Sequence, residues 1–134
     1  MSGPLLDRID IHVEAPPVEY SELSSGAQGE PSADVRARVE NVRALQAERF
    51  KGSLRPALNA RMQPKHMRQY CAISEACHAL MKHALDDLHL SARAHDRILK
   101  VARTIADMAG ADNIGEDHLL EAIQYRSLDR SVWM

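Results

Sequence analysis

Ile9-Asp10-Ile11-His12-Val13 alternates apolar and polar side chains, the period-2 pattern of a half-buried strand. No second convincing strand follows in the 134 residues. A lone strand leaves its backbone N–H and C=O groups without partners and is not stable by itself. A chain with one such run builds no sheet of its own, so its core must come from helices. The expected fold class is all-α: a small helical bundle carrying an N-terminal strand remnant whose partner strands lie in a longer protein. Met1 stands directly before Ser2-Gly3-Pro4-Leu5-Leu6-Asp7-Arg8, and the sequence is expected to begin partway through that protein. Residues 3–16 are accordingly expected to be poorly ordered or paired with another molecule.

Composition agrees with helices. Aromatic residues are only 4% of the chain, so the core must be built from Leu, Ile, Val, Ala and Met. Ala, Leu and Met are good helix formers, and β-branched residues are few. The formal charge of −2 carries no overall basic signal, which argues against tight non-specific nucleic-acid binding by this chain alone. No apolar run has the length to span a bilayer, and no signal-peptide pattern follows Met1. Cys71 and Cys77 read as buried reduced thiols rather than a disulfide or metal pair. A cytoplasmic protein is expected.

Local signals divide the chain into residues 1–16, a linker at 17–31, a helical body at 32–126 and a polar tail at 127–134. The linker is rich in Pro, Gly, Ser and Glu and has too few apolar groups to offset its ordering entropy. Ser32 is expected to cap a helix with Asp34 in its first turn, an apolar stripe of Val35, Val39, Val42, Leu45 and Phe50, and a stop at Gly52. Arg36, Glu40, Arg43 and Glu48 read as its solvated face. Residues 52–63 look irregular, and Pro64 opens a short helix to about Tyr70. Ser74 caps a helix that buries Cys77, Leu80, Met81, Ala84, Leu85 and Leu88. Ser91 caps another over Ala92–Ala109, ended by Gly110. The last helix runs from Glu116 to about Arg126 with Leu119, Leu120 and Ile123 inward.

At about 100° per residue, the helix after Ser91 sets Ala94, Ile98, Val101, Ala102 and Ile105 on one side and Arg93, Arg97, Lys100 and Arg103 on the other. Two readings stay open for Arg97, Lys100 and Arg103: a solvated face partly neutralised by Asp96, or contacts to the phosphates of DNA. Arg93 is different, because a cation in the first turn opposes the helix dipole at roughly 0.3–1 kcal/mol. Beside free backbone N–H groups it reads as an anion ligand, with a plain surface arginine as the alternative. Arg8 sits before the strand pattern, where it either pairs with Asp7 or Asp10 or is held ready for charge on a transferring phosphoryl group. The seven histidines show no ligand spacing, so no metal site is expected. The chain has no GxxxxGK[ST] loop and no nucleophile elbow, and by itself it is not expected to be an enzyme.

Three separated segments, SGPLLDRIDIHVEAP, LSARAHDRILKVARTIADMAG and HLLEAIQYRSLDRSVW, resemble in order the C-terminal part of the magnesium-chelatase-like AAA+ ATPases, and within them a competence-associated group. The resemblance covers nearly the whole chain outside the linker. It implies that residues 1–16 end an ATPase core and that residues 32–126 form the helical lid over the nucleotide. It implies that Arg8 is an arginine finger acting on the nucleotide of a neighbouring subunit and that Arg93 is the sensor-2 arginine for its own. ATP and Mg²⁺ would be cofactors of the whole protein, with none held by this chain alone. The implied partners are its own upstream core, neighbouring subunits of a hexameric ring and DNA, with no membrane. A free-standing helical module binding nucleic acid or protein, and a magnesium chelatase ATPase subunit, are the alternative functions.

Overall fold

Small residues on one helix set the geometry of the body. In the computed structural model, which describes residues 3–26, 28–53 and 58–126, helix α6 (Ala92–Met108) is the axis on which the other elements rest. Its inward side carries Ala94, Ile98, Ala102 and Ala106, each 1% exposed or less. The alanines let helix α7 (Glu116–Gln124) approach closely, seating Leu119 and Ala122 in the core. Burying a side chain such as Ile98 or Leu119 stabilises the fold by roughly 1.5–3 kcal/mol. Helix α5 (Glu75–Asp87) lies on α7, while helix α4 (Pro64–Tyr70), a 3₁₀ turn at Asn59–Arg61 and the end of helix α3 (Ser32–Arg49) meet α6. Phe50 closes this side, with its ring edge-on to His66 and Tyr70 at centroid distances of 5.7 and 5.6 Å. Cys71 and Cys77 are buried free thiols, and burial pushes the Cys71 thiol up to about 11.

Caps and stops mostly fall where the sequence puts them; Ser32 is the exception, because it is the first helical residue of α3, Pro31 holds the cap position and no side chain caps that end. Ser74 Oγ accepts the Cys77 N–H at 3.2 Å, and Ser91 Oγ accepts the Ala94 N–H at 3.2 Å. Gly52 and Gly110 take φ of +84° and +71° beyond α3 and α6, a backbone state that favours glycine. On α5 the expected buried residues are buried or half-buried.

Other expectations need correction. Among the described residues there is no strand. Gly3–Arg8 forms a short helix, α1, and residues 9–13 belong to no regular element, with a bend at Asp10. The alternation is present with its phase inverted: His12 is buried, while Ile11 and Val13 are 47% and 69% exposed. The expected loose or externally paired segment is docked instead. The His12 N–H donates to the Tyr125 carbonyl at 2.8 Å, and a His12 ring nitrogen lies 2.9 Å from the Leu6 carbonyl. The α3 stripe also differs, since Val35, Val39 and Leu45 are exposed and Gln46 is the buried residue of that helix. The C-terminal half of α3 borders α6, with Val42 half-buried and Arg38, Asn41 and Val42 lining a cleft with Asp107, Met108 and Gly110, whereas the first turns of α3 are exposed among the described residues. On α7, Leu120 is exposed and Ala122 takes the inward place. Within the expected linker a single helical turn, α2 (Tyr20–Ser24), buries none of its residues. The expected tail, residues 127–134, and part of the irregular stretch, residues 54–57, lie outside the described residues.

Candidate functional site

The start of α6 and the end of α1 meet. Ser91 Oγ, besides capping α6, donates to Asp7 Oδ1 at 2.8 Å. Arg93 follows in the first turn of α6 and is exposed, and Arg8 ends α1 and is exposed. Among the described residues neither guanidinium has a hydrogen-bond or ion-pair partner. The Ala92 and Arg93 amides have no intrahelical acceptor, because first-turn N–H groups lack one. Arg8 does not pair with Asp7 or Asp10, since both carboxylates are engaged elsewhere. Asp7 holds Ser91 and lies 3.7 Å from Arg126, and Asp10 pairs with Arg97. The two element ends therefore present unpaired cations beside helix-terminal amides, an arrangement that suits an anion.

The rest of the basic stripe is engaged within the fold. Arg97 pairs with Asp10, and Lys100 Nζ donates to the Ala60 carbonyl at 3.3 Å. Arg103 is a correction: it is 4% exposed and does not belong to the surface stripe. Its Nε donates to Asp107 Oδ1 at 3.1 Å, and its Nη atoms donate to the carbonyls of Asp112 and Ala111 at 2.9 and 2.8 Å. As folded, it has no face left for an external phosphate.

Arg103 belongs to a buried network that sequence reasoning missed. Arg49 grips Asp107 with both Nη atoms at 2.7 Å, a bidentate fork. Asn59 Nδ2 donates to Asp107 Oδ2 at 2.8 Å and to Thr104 Oγ1 at 3.1 Å, and Asn59 Oδ1 accepts from Arg49 at 2.9 Å. The Asn59 N–H donates to Gln46 Oε1 at 2.8 Å. Burial raises the Asp107 carboxyl, but hydrogen bonds from Arg49 and Asn59, with the charges of Arg49 and Arg103, outweigh it and hold the group below its usual range. The Arg49 guanidinium is raised, chiefly by its hydrogen bond to Asp107. With the Asp107 side chain fully buried, this network joins α3, the 3₁₀ turn and α6 rather than meeting a substrate. Its one local signal is the spacing of four between Arg103 and Asp107, which puts the two on one helix face.

A second missed group is Arg126, wholly buried after α7, whose Nη2 donates to the Asp7 carbonyl at 3.3 Å and whose Nη1 donates to the Ile9 carbonyl. Its spacing of seven from Leu119 continues the apolar face of α7 and was the available hint. Among the described residues no three His, Cys, Asp or Glu side chains gather as a metal site, and no helix is long and apolar enough to cross a membrane.

Residues 29–126 match the family model described as magnesium chelatase, subunit ChlI C-terminal. The chain is 40% identical over 131 residues to competence protein ComM of Haemophilus influenzae and 42% identical over 131 residues to uncharacterized protein YifB of Salmonella typhimurium. It is 36% identical over 129 residues to an uncharacterized protein of Mycobacterium bovis. These alignments take in 97%, 97% and 94% of this chain, and in each case 25% of the relative. The chain thus spans about a quarter of the length of the curated relatives it matches.

Proposed function

The chain belongs to the magnesium chelatase ChlI C-terminal family, and on that premise we propose that it is the helical lid of a ring-forming AAA+ ATPase. In this reading Arg93 is the sensor-2 arginine of its own subunit, and Arg8 is the arginine finger that reaches the nucleotide of a neighbour. One observation supports it above the others. Both guanidiniums are exposed, and unpaired among the described residues, at element ends joined by the Asp7–Ser91 hydrogen bond, with the first-turn amides of α6 beside them. Those groups fit a phosphate. Bound ATP with Mg²⁺ supplies the phosphoryl group, and Arg8 and Arg93 offset negative charge on it. The working assembly is a cytoplasmic ring, taken as a hexamer. The competence function in the name of the Haemophilus influenzae relative favours DNA, in uptake or recombination, as what the whole protein remodels.

The test is steady-state ATP hydrolysis by the full-length protein. Arg8→Ala is expected to lower kcat on the order of 10³-fold, the effect of losing an arginine finger. Arg93→Ala is expected to lower it about 10²-fold, as for loss of one charge-stabilising donor. Mixing Arg8→Ala subunits with subunits defective in ATP binding should restore turnover if the finger works across the interface. Unchanged kcat in both variants would sink the reading. A free-standing phosphate-binding module finds less support, because Arg97, Lys100 and Arg103 are engaged within the fold. The ComM and YifB relatives favour the competence-associated reading over a pigment-synthesis chelatase.

A further inference from the structure

We infer that Arg126 is the positioning residue for Arg8: its guanidinium holds the backbone carbonyls on both sides of Arg8 and so fixes the direction in which that side chain leaves the fold. The inference rests on the reading of Arg8 as a phosphate-directed arginine. Arg126 is 0% exposed, and it donates to the Ile9 carbonyl and, at 3.3 Å, to the Asp7 carbonyl. The same Nη2 lies 3.7 Å from Asp7 Oδ1. Asp7 thus faces inward and Arg8, its neighbour, faces out.

Helix α1 is six residues long, too short to hold itself in water, so its place must come from tertiary ties. Several ties come from the body. Besides Arg126, the Tyr125 carbonyl takes the His12 N–H, Ser91 takes Asp7, and Arg97 takes Asp10. Only Arg126 brackets Arg8 itself. The residue type matters too. A buried cation is a poor choice for stability alone, since an apolar side chain of similar volume serves as well or better. A planar guanidinium can serve two carbonyls at once in a fixed fork, which no apolar side chain can. The Asp7–Ser91 bond then carries the same fixed geometry to the first turn of α6, where Arg93 stands.

The experiment uses the full-length protein with Arg126→Met, which removes the donors and keeps bulk, and Arg126→Lys, which keeps the charge and stem. Steady-state kinetics are measured in the native and Arg8→Ala backgrounds, with hydrogen exchange followed over residues 6–12 and over α6. The expected result is about a 10-fold fall in kcat for Arg126→Met with KM for ATP changed less than two-fold. Arg126→Lys should recover part of the loss, and exchange should rise over residues 6–12 but not over α6. In the Arg8→Ala background, Arg126→Met should add less than a two-fold further loss. If Arg8→Ala lowers kcat and the folded Arg126 variants do not, the positioning role is overturned while the reading of Arg8 stands. If Arg8→Ala itself leaves kcat unchanged, that reading fails and takes this inference with it. Exchange rising equally over α6, or both variants failing to fold, would make Arg126 a core stabiliser and overturn the proposal.

Discussion

Asp107 has a fully buried side chain held by donors from Arg49, Asn59 and Arg103, so its charge is tied to the folded state. Removing it leaves Arg49 and Arg103 facing each other across a buried gap. Asp107→Ala should therefore destabilise the chain by roughly 3–5 kcal/mol, the cost of breaking a buried ion pair from one side, read from urea denaturation. The pH dependence has a definite sign. The folded carboxyl titrates below its unfolded value, so its contribution is present above the unfolded pKa near ~3.9 and is lost as pH falls through the folded one. Melting temperature should hold from neutral pH to about pH 5 and fall below pH 4. Apart from the spacing of four between Arg103 and Asp107, none of this was legible locally. Arg49 carries no pattern that singles it out, and its partner is 58 residues away in sequence. Arg103 has the same spacing as its neighbours on the stripe, and only the tertiary fold shows that carbonyls of residues 111 and 112 close over it.

Helix boundaries were far more legible than helix environments, because caps and stops are short-range chemistry. Ser74, Ser91, Gly52 and Gly110 act on amides within a few residues, and each does what its type predicts. Which face turns inward depends on what lies opposite, and there the expectations for α3 and for residues 9–13 gave way. The α3 valines repeat at helical spacing, yet Val35 and Val39 stay exposed and only Val42, of the three, is half-buried. The Ile9–Val13 run alternates, but its fate is set by Tyr125 and Arg126 at the far end of the chain, and the Arg126–Ile9 bond spans 117 residues. Ser91 tests the element scale, because it serves two ends at once. Ser91→Ala should cost about 1–2 kcal/mol in urea denaturation and exceed Ser74→Ala, whose oxygen caps only its own helix.

At the scale of the molecule, charge is spent inward. Of the four basic residues expected along α6, only Arg93 has its guanidinium uncommitted among the described residues. The consequence for DNA is quantitative. Each phosphate contact contributes a slope of about −0.9 to log K against log salt, so Arg8 and Arg93 alone would give about −2. Fluorescence anisotropy of this chain on duplex DNA between 50 and 200 mM salt, conditions over which a many-contact binder changes steeply, should show no steeper slope. A slope of −4 or beyond would mean that Arg97, Lys100 or other cations leave their internal partners.

Helix α3 gives the molecule a mechanical property. It is fastened over its C-terminal part, where Gln46, Arg49 and Phe50 enter the core and Val42 is half-buried, and among the described residues its first turns stand uncovered. From Ser32 to Gln46 the helix runs roughly 21 Å at 1.5 Å per residue. A tilt of about 5° at the fastened end would carry Ser32 through nearly ~2 Å, by that same geometry. Any pull arriving from the preceding chain thus reaches the Arg49–Asp107 fork as a torque on a long arm, with that buried bidentate pair at its fulcrum.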